Sequence, residues 1–179
     1  IEEIEKDKKL NEQFDIDIHE SFIDGNKLVR IFFSIYAFIK FCLTKRNYDL
    51  YHVHVASRGS TFRKGHYVDV IKRWNKKVIL HVHGAQYLVF YDEITKKKQK
   101  RVVEILKKSD MVIALSQDWK DKFDERFGLT NCCVLENGID MERLAPAVCE
   151  PALHQNAFVT LGRLGQRKGT YDLVDAIDI

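Results

Sequence analysis

Phe158-Val159-Thr160-Leu161-Gly162-Arg163-Leu164-Gly165-Gln166-Arg167-Lys168-Gly169 joins a short apolar, β-branched run to three glycines and three cations. Phe158 to Leu161 reads as a buried strand. Tyr171 to Ile177 puts Leu173, Val174 and Ile177 on one helical face, so the unit is strand, loop, helix. Glycine lets a backbone approach a ligand closely, the first turn of the helix offers unpaired N–H groups, and Arg163, Arg167 and Lys168 add fixed positive charge. Such a loop suits a phosphate or diphosphate. An ordinary βα turn with its cations in water has the same composition, and the spacing is neither a Walker A loop nor the dinucleotide fingerprint.

Upstream, strand and helix signals alternate. Asp49 to Ala56 predicts a strand, Ser57 to Gly65 a polar loop, Tyr67 to Trp74 a helix, and Lys77 to Gly84 a second strand. Lys96 to Lys108 predicts a helix with Val102, Val103, Ile105 and Leu106 inward, and Met111 to Leu115 a third strand. Ser116 and Asp118 can cap a helix running to Phe127, and Cys132 to Leu135 is a fourth strand leading into Glu136-Asn137-Gly138-Ile139-Asp140. Nearly continuous apolar strands between helices imply a Rossmann-like α/β fold, a parallel sheet with helices on both faces. Ligands gather at the carboxyl ends of such strands, so Ser57 to Gly65, His83 to Tyr87, Ser116 to Asp118 and Asn137-Gly138 should share one rim.

Three domain segments follow: 1–144 as an N-terminal domain, 145–156 as a linker, and 157–179 as the start of a second domain. Both prolines, Pro146 and Pro151, fall in the aperiodic segment Leu144 to Gln155. The chain begins at Ile1 without methionine and stops inside a helical pattern, which reads as a fragment. Phe14 to Ile18 alternates as an edge strand would, and Leu28 to Leu43 reads as a buried helix. Arg30 and Lys40 interrupt that apolar run too early for a membrane span, which needs about 20 residues.

With 45% hydrophobic and 31% charged residues the chain is an ordinary globular one, and a net charge of +3 gives no basis for nucleic-acid binding. The basic run Lys96 to Arg101 has no interleaved aromatics and reads as a solvated helix face. Cys42, Cys132, Cys133 and Cys149 form no CxxC pair, which fits reduced thiols in the cytosol. His52 and His54 lie two apart on one strand, as do His81 and His83 on another. Two HxH pairs could bind zinc or serve a metal-dependent hydrolase. Against this, no matching carboxylates follow downstream, and His52 and His81 sit in apolar runs where core histidines are usual. No metal is expected on this reading.

The segment FVTLGRLGQRKGTYDLVDAI resembles the opening of the C-terminal domain of family 4 (group 1) glycosyltransferases of the GT-B fold. The resemblance extends back through YDLYHVH, SRGSTFRK, VILHVHGAQY, VIALS and VLENGID, in the order found in bacterial polysaccharide-building members. It implies a retaining hexosyltransferase, acting between a nucleotide-diphosphate sugar and a hydroxyl acceptor in polysaccharide or glycolipid assembly. A hydrolase using the HxH pairs and a non-catalytic nucleotide-binding module are the alternatives.

By motif position, Arg163 and Lys168, beside Gly162, would hold the donor diphosphate, and His83, followed by Gly84, would contact the transferred sugar. Arg58, Ser60, Arg63 and Lys64 fall in the acceptor-side domain, where cations suit a phosphate-bearing or lipid-linked acceptor. No cofactor is implied, and the location would be cytoplasmic with peripheral contact at the inner membrane surface. Family members also have an earlier glycine-rich strand-loop and two later glutamates, and neither feature is found here.

Overall fold

Alternation of β-branched residues with helical stripes sets the order of elements in the computed structural model, which describes residues 7–84, 86–138, 164–166 and 169–177. Gly162, Arg163, Arg167, Lys168, the Phe158 to Leu161 strand, the 145–156 linker, Ile139, Asp140 and Cys149 lie outside the described residues. In chain order the elements are α1 (Lys8–Gln13), α2 (Lys27–Thr44), β1 (Leu50–Val55), α3 (Gly59–Arg73), β2 (Lys77–Val82) and α4 (Tyr87–Glu93). After these come α5 (Lys96–Lys108), β3 (Met111–Ala114), α6 (Gln117–Phe127), β4 (Cys132–Val134) and α7 (Thr170–Ile177). The strands form one parallel sheet in the order β1-β2-β3-β4. This is the expected α/β class.

Two compact units, Ile1–Asn137 and Gly138–Ile179, divide the chain. In the first, one face of the sheet supplies the core: Tyr51, Val53, Val55, Val78, Leu80, Val82, Val112 and Ala114 cluster with apolar residues of the helices. From α3 come Val68 and Ile71, from α5 Val102, Ile105 and Leu106, and from α6 Phe123 and Phe127. Alternation along the strands sends His52, His54, Ile79, His81 and Ile113 to the opposite face. In the second unit, the Gly165 N–H donates to the Thr170 hydroxyl at 2.9 Å, and α7 begins after Gly169. Gly169 has φ +68°, a conformation that favours glycine.

Local chemistry fixes several ends. The Ser116 hydroxyl accepts the Trp119 N–H at 3.3 Å to start α6, which ends at Gly128 with φ +61°. Asp110 accepts the Val78 N–H at 2.8 Å and pairs with Lys72 at 2.7 Å, tying the entry of β3 to β2 and α3.

Three expectations are corrected. The Phe14 to Ile18 segment is not a strand: α1 ends just before it, capped at its start by Asp7, and Asp17 is held by Lys45 and Tyr48 beside the end of α2. Those side-chain bonds keep the segment against a helix end instead of a sheet edge.

The polar Ser57 to Gly65 loop is mostly the first turns of α3, which begins at Gly59. Ser60 accepts the Ala56 N–H and Thr61 donates to the Ala56 carbonyl, so the glycine and hydroxyls that suggested a loop organise a helix start.

Helix α2 forms over the expected residues, with Asn26 accepting the Val29 N–H at 2.9 Å, yet only Ala37 and Phe41 are buried. Phe41 meets Tyr51, Tyr67 and Trp74, with ring centroids 4.8–5.8 Å away, while the other side of the helix stays exposed. Among the described residues, no helix is long and apolar enough to cross a membrane.

Candidate functional site

Parallel pairing aligns the carboxyl ends of β1 and β2, with His54 opposite His81 and Val55 opposite Val82. The His83 N–H donates to the Val55 carbonyl at 2.8 Å and carries the pairing one residue past β2. The next residue is Gly84. A Cβ there would stand 2.8 Å from the Ser57 backbone nitrogen, so a glycine is what lets the two strand ends approach this closely.

Four imidazoles line this rim. His52 Nε2 lies 3.2 Å from His81 Nδ1, and His54 Nδ1 lies 2.8 Å from His83 Nε2. The rings are mutually stacked or tilted, with centroids 4.0–5.3 Å apart. Burial, then the neighbouring imidazoles, pushes His54 down to about 3 and His81 down to about 4. Partial desolvation also lowers His52 and His83, although both residues are exposed overall. The cluster is therefore uncharged at neutral pH, suited to hydrogen bonding with hydroxyls and not to neutralising a phosphate. Among the described residues, no carboxylate hydrogen-bonds to these rings. The sequence placed each histidine pair on one face of its strand, and the register joins the two pairs into one patch.

Arg58 follows β1 with φ +63° and ψ −130°, an unusual conformation for a residue with a side chain. Its guanidinium pairs with Glu93 at 3.1 Å, both groups being exposed, so the pair adds little stability. Ser60 sits in the first turn of α3, where its hydroxyl already accepts the Ala56 N–H.

Further along α3, Arg63 and Lys64 are partly buried and have no carboxylate partner among the described residues. Burial, then Arg63, brings Lys64 down to about 8. The Arg63 Nε is buried without a hydrogen-bond partner. A cleft of about 540 Å³ opens here, lined by Phe22, Lys27, Arg30, Ile31, Ser34, Ile35 and Arg63. Both Arg30 and Arg63 lie over the Phe22 ring, at 4.9 and 5.0 Å. Two guanidiniums converge here beside Lys27, and no acidic residue lines the cleft.

Sequence reasoning singled out Arg63 and missed Arg30, Lys27 and Phe22. The absence of any acidic residue from Lys27 to Thr44 was the available signal.

A comparison with family models matches residues 5–143 to "Glycosyltransferase Family 4". No curated protein and no solved structure matches the chain.

Proposed function

The chain belongs to glycosyltransferase family 4, and on that premise we propose that it is part of a retaining enzyme moving a hexosyl group from a nucleotide-diphosphate sugar to a hydroxyl acceptor. The acceptor would be a growing cell-surface polysaccharide or glycolipid, met at the cytoplasmic face of the membrane. The observation that carries this reading is His83, followed by Gly84, at the carboxyl end of β2, where the close approach of Gly84 to Ser57 holds the imidazole on the rim. A neutral ring there can hydrogen-bond a sugar hydroxyl. The pair Arg30 and Arg63, in a cleft that no acidic residue lines, supports an acceptor that bears phosphate.

Domain organisation follows the same proposal: 1–144 on the acceptor side, 145–156 linking, and 157–179 opening the donor side. Arg163 and Lys168, beside Gly162, would bind the donor diphosphate. Negative charge grows on that group as the sugar departs, so fixed cations would stabilise the transition state more than the ground state. No cofactor enters this scheme.

Turnover of the full-length enzyme against a panel of nucleotide sugars tests it. Arg163→Ala and Lys168→Ala should each lower the rate about a hundredfold. Near-normal rates in both variants would remove the assignment.

A further inference from the structure

Each of His52, His54 and His81 presents a ring nitrogen, and the three lie within 4.8 Å of one another. We propose that this trio binds one late first-row divalent cation, of the Zn²⁺ or Co²⁺ class. His54, one of the three, is also bonded to His83, so the site adjoins the proposed sugar contact.

His52 and His54 project from one strand and His81 from its hydrogen-bonded neighbour, so backbone pairing, not loop conformation, sets the spacing of the three rings. Ligands carried on paired strands stand near one another before a metal arrives, and small side-chain rotations bring the nitrogens from within 4.8 Å to bonding spacing.

A second observation concerns His81. Its side chain is 6% exposed, and its Nε2 is buried with no hydrogen-bond partner. Imidazole-to-imidazole hydrogen bonds account for His81 Nδ1 and for the His54–His83 pair, but they leave this nitrogen unsatisfied. A buried polar nitrogen without a partner is costly, and in native proteins it usually marks an absent ligand, ion or water.

The donor set chooses the metal class. Three imidazoles with no carboxylate among their hydrogen-bond partners suit zinc, cobalt, nickel or copper, whereas magnesium and calcium require oxygen ligands. Three protein ligands also leave a coordination position open. The sequence argued against metal because no matching carboxylates follow downstream and His52 and His81 sit in apolar runs. Pairing of β1 with β2 sets the two histidine pairs side by side, so imidazoles alone make up the donor set.

The experiment is direct metal binding to the purified protein, which requires no sugar donor or acceptor and so fails or succeeds independently of the glycosyl-transfer reading. Metal-stripped protein is titrated with Zn²⁺ alone and with Co²⁺ alone, and stoichiometry is read by elemental analysis after buffer exchange. About one ion per chain is expected, with visible Co²⁺ absorption reporting nitrogen coordination. His52→Ala changes an exposed side chain and should weaken binding about tenfold or more without unfolding the protein. His81→Ala should do the same if it folds, and His66→Ala, an exposed histidine on α3, should bind as the parent does. Sub-stoichiometric metal in the parent, or unchanged affinity in His52→Ala, would overturn the proposal.

Discussion

Helix α2 has Leu, Val, Ile, Phe or Tyr at most of its positions, yet Leu28, Phe32, Ile35, Tyr36, Ile39 and Leu43 are each more than half exposed. Helix α5 is largely lysine and arginine, yet it seats Val102, Ile105 and Leu106 at 0%, 1% and 0% exposure. Apolar content does not rank these two helices by burial; arrangement does. In α5 the apolar residues form one narrow stripe at i, i+3, i+4 spacing, and the cations leave no ambiguity about which side faces water. In α2 apolar groups run around most of the circumference, and the described fold has a partner for one side only, the aromatic surface of Tyr51, Tyr67 and Trp74.

The strongest way to break this comparison is to cut into the stripe of α5. Leu106→Ala should destabilise the protein by about 3 kcal/mol, because the cavity lies between helix and sheet and cannot fill with water cheaply. Denaturant titration gives the value. A loss no larger than that of a surface substitution would show that the stripe is not part of the core.

A smaller effect is expected where α3 and α5 meet. A Cβ added at Gly65 would stand 2.3 Å from Ile105 Cδ1 and 2.9 Å from Ile105 Cγ1, with Ile105 itself enclosed. Gly65→Ala should therefore cost about 2 kcal/mol through displaced packing. Ile105→Val, by trimming the opposing side chain, should recover part of that loss in the double variant. Strict additivity of the two changes would deny the contact. Helix propensity alone favours alanine over glycine, so a destabilising outcome isolates the steric term.

The same contrast explains what the amino-acid order disclosed. The bounds of α5, the Ser116 cap and the four parallel strands were legible because each rests on local pattern: a stripe, a hydroxyl at a helix start, or an apolar run. The family relation was legible through short motifs in a fixed order. The exposure of α2 was not legible, since a helix that is apolar all round signals burial whether or not a partner exists. The Phe14 to Ile18 alternation failed as a strand for a related reason. Asp17 is claimed by Lys45 and Tyr48, far along the chain, and periodicity carries no record of that.

Site residues divide the same way. His83 and Arg63 were singled out from motif and charge. The convergence of Arg30 on Arg63, and of His81 on His54, depends on packing and strand register that no single segment encodes.

The smallest effect on stability is expected on the outer side of α2, where it sharpens the comparison most. Phe32, Ile39 and Leu43 are 69%, 52% and 78% exposed and do not line the cationic cleft. Replacing all three with serine should change unfolding stability by no more than about 0.5 kcal/mol per site, since little buried surface is lost. The oligomeric state should respond more. An apolar stripe of this extent, together with β1 at the end of the sheet among the described residues, favours self-association of the isolated chain. Sedimentation velocity across a concentration series should show the parent chain associating and the triple variant shifting toward monomer. A triple variant that melts far below the parent, with the parent monomeric throughout, would place Phe32, Ile39 and Leu43 in a packed interior and erase the difference between the two helices.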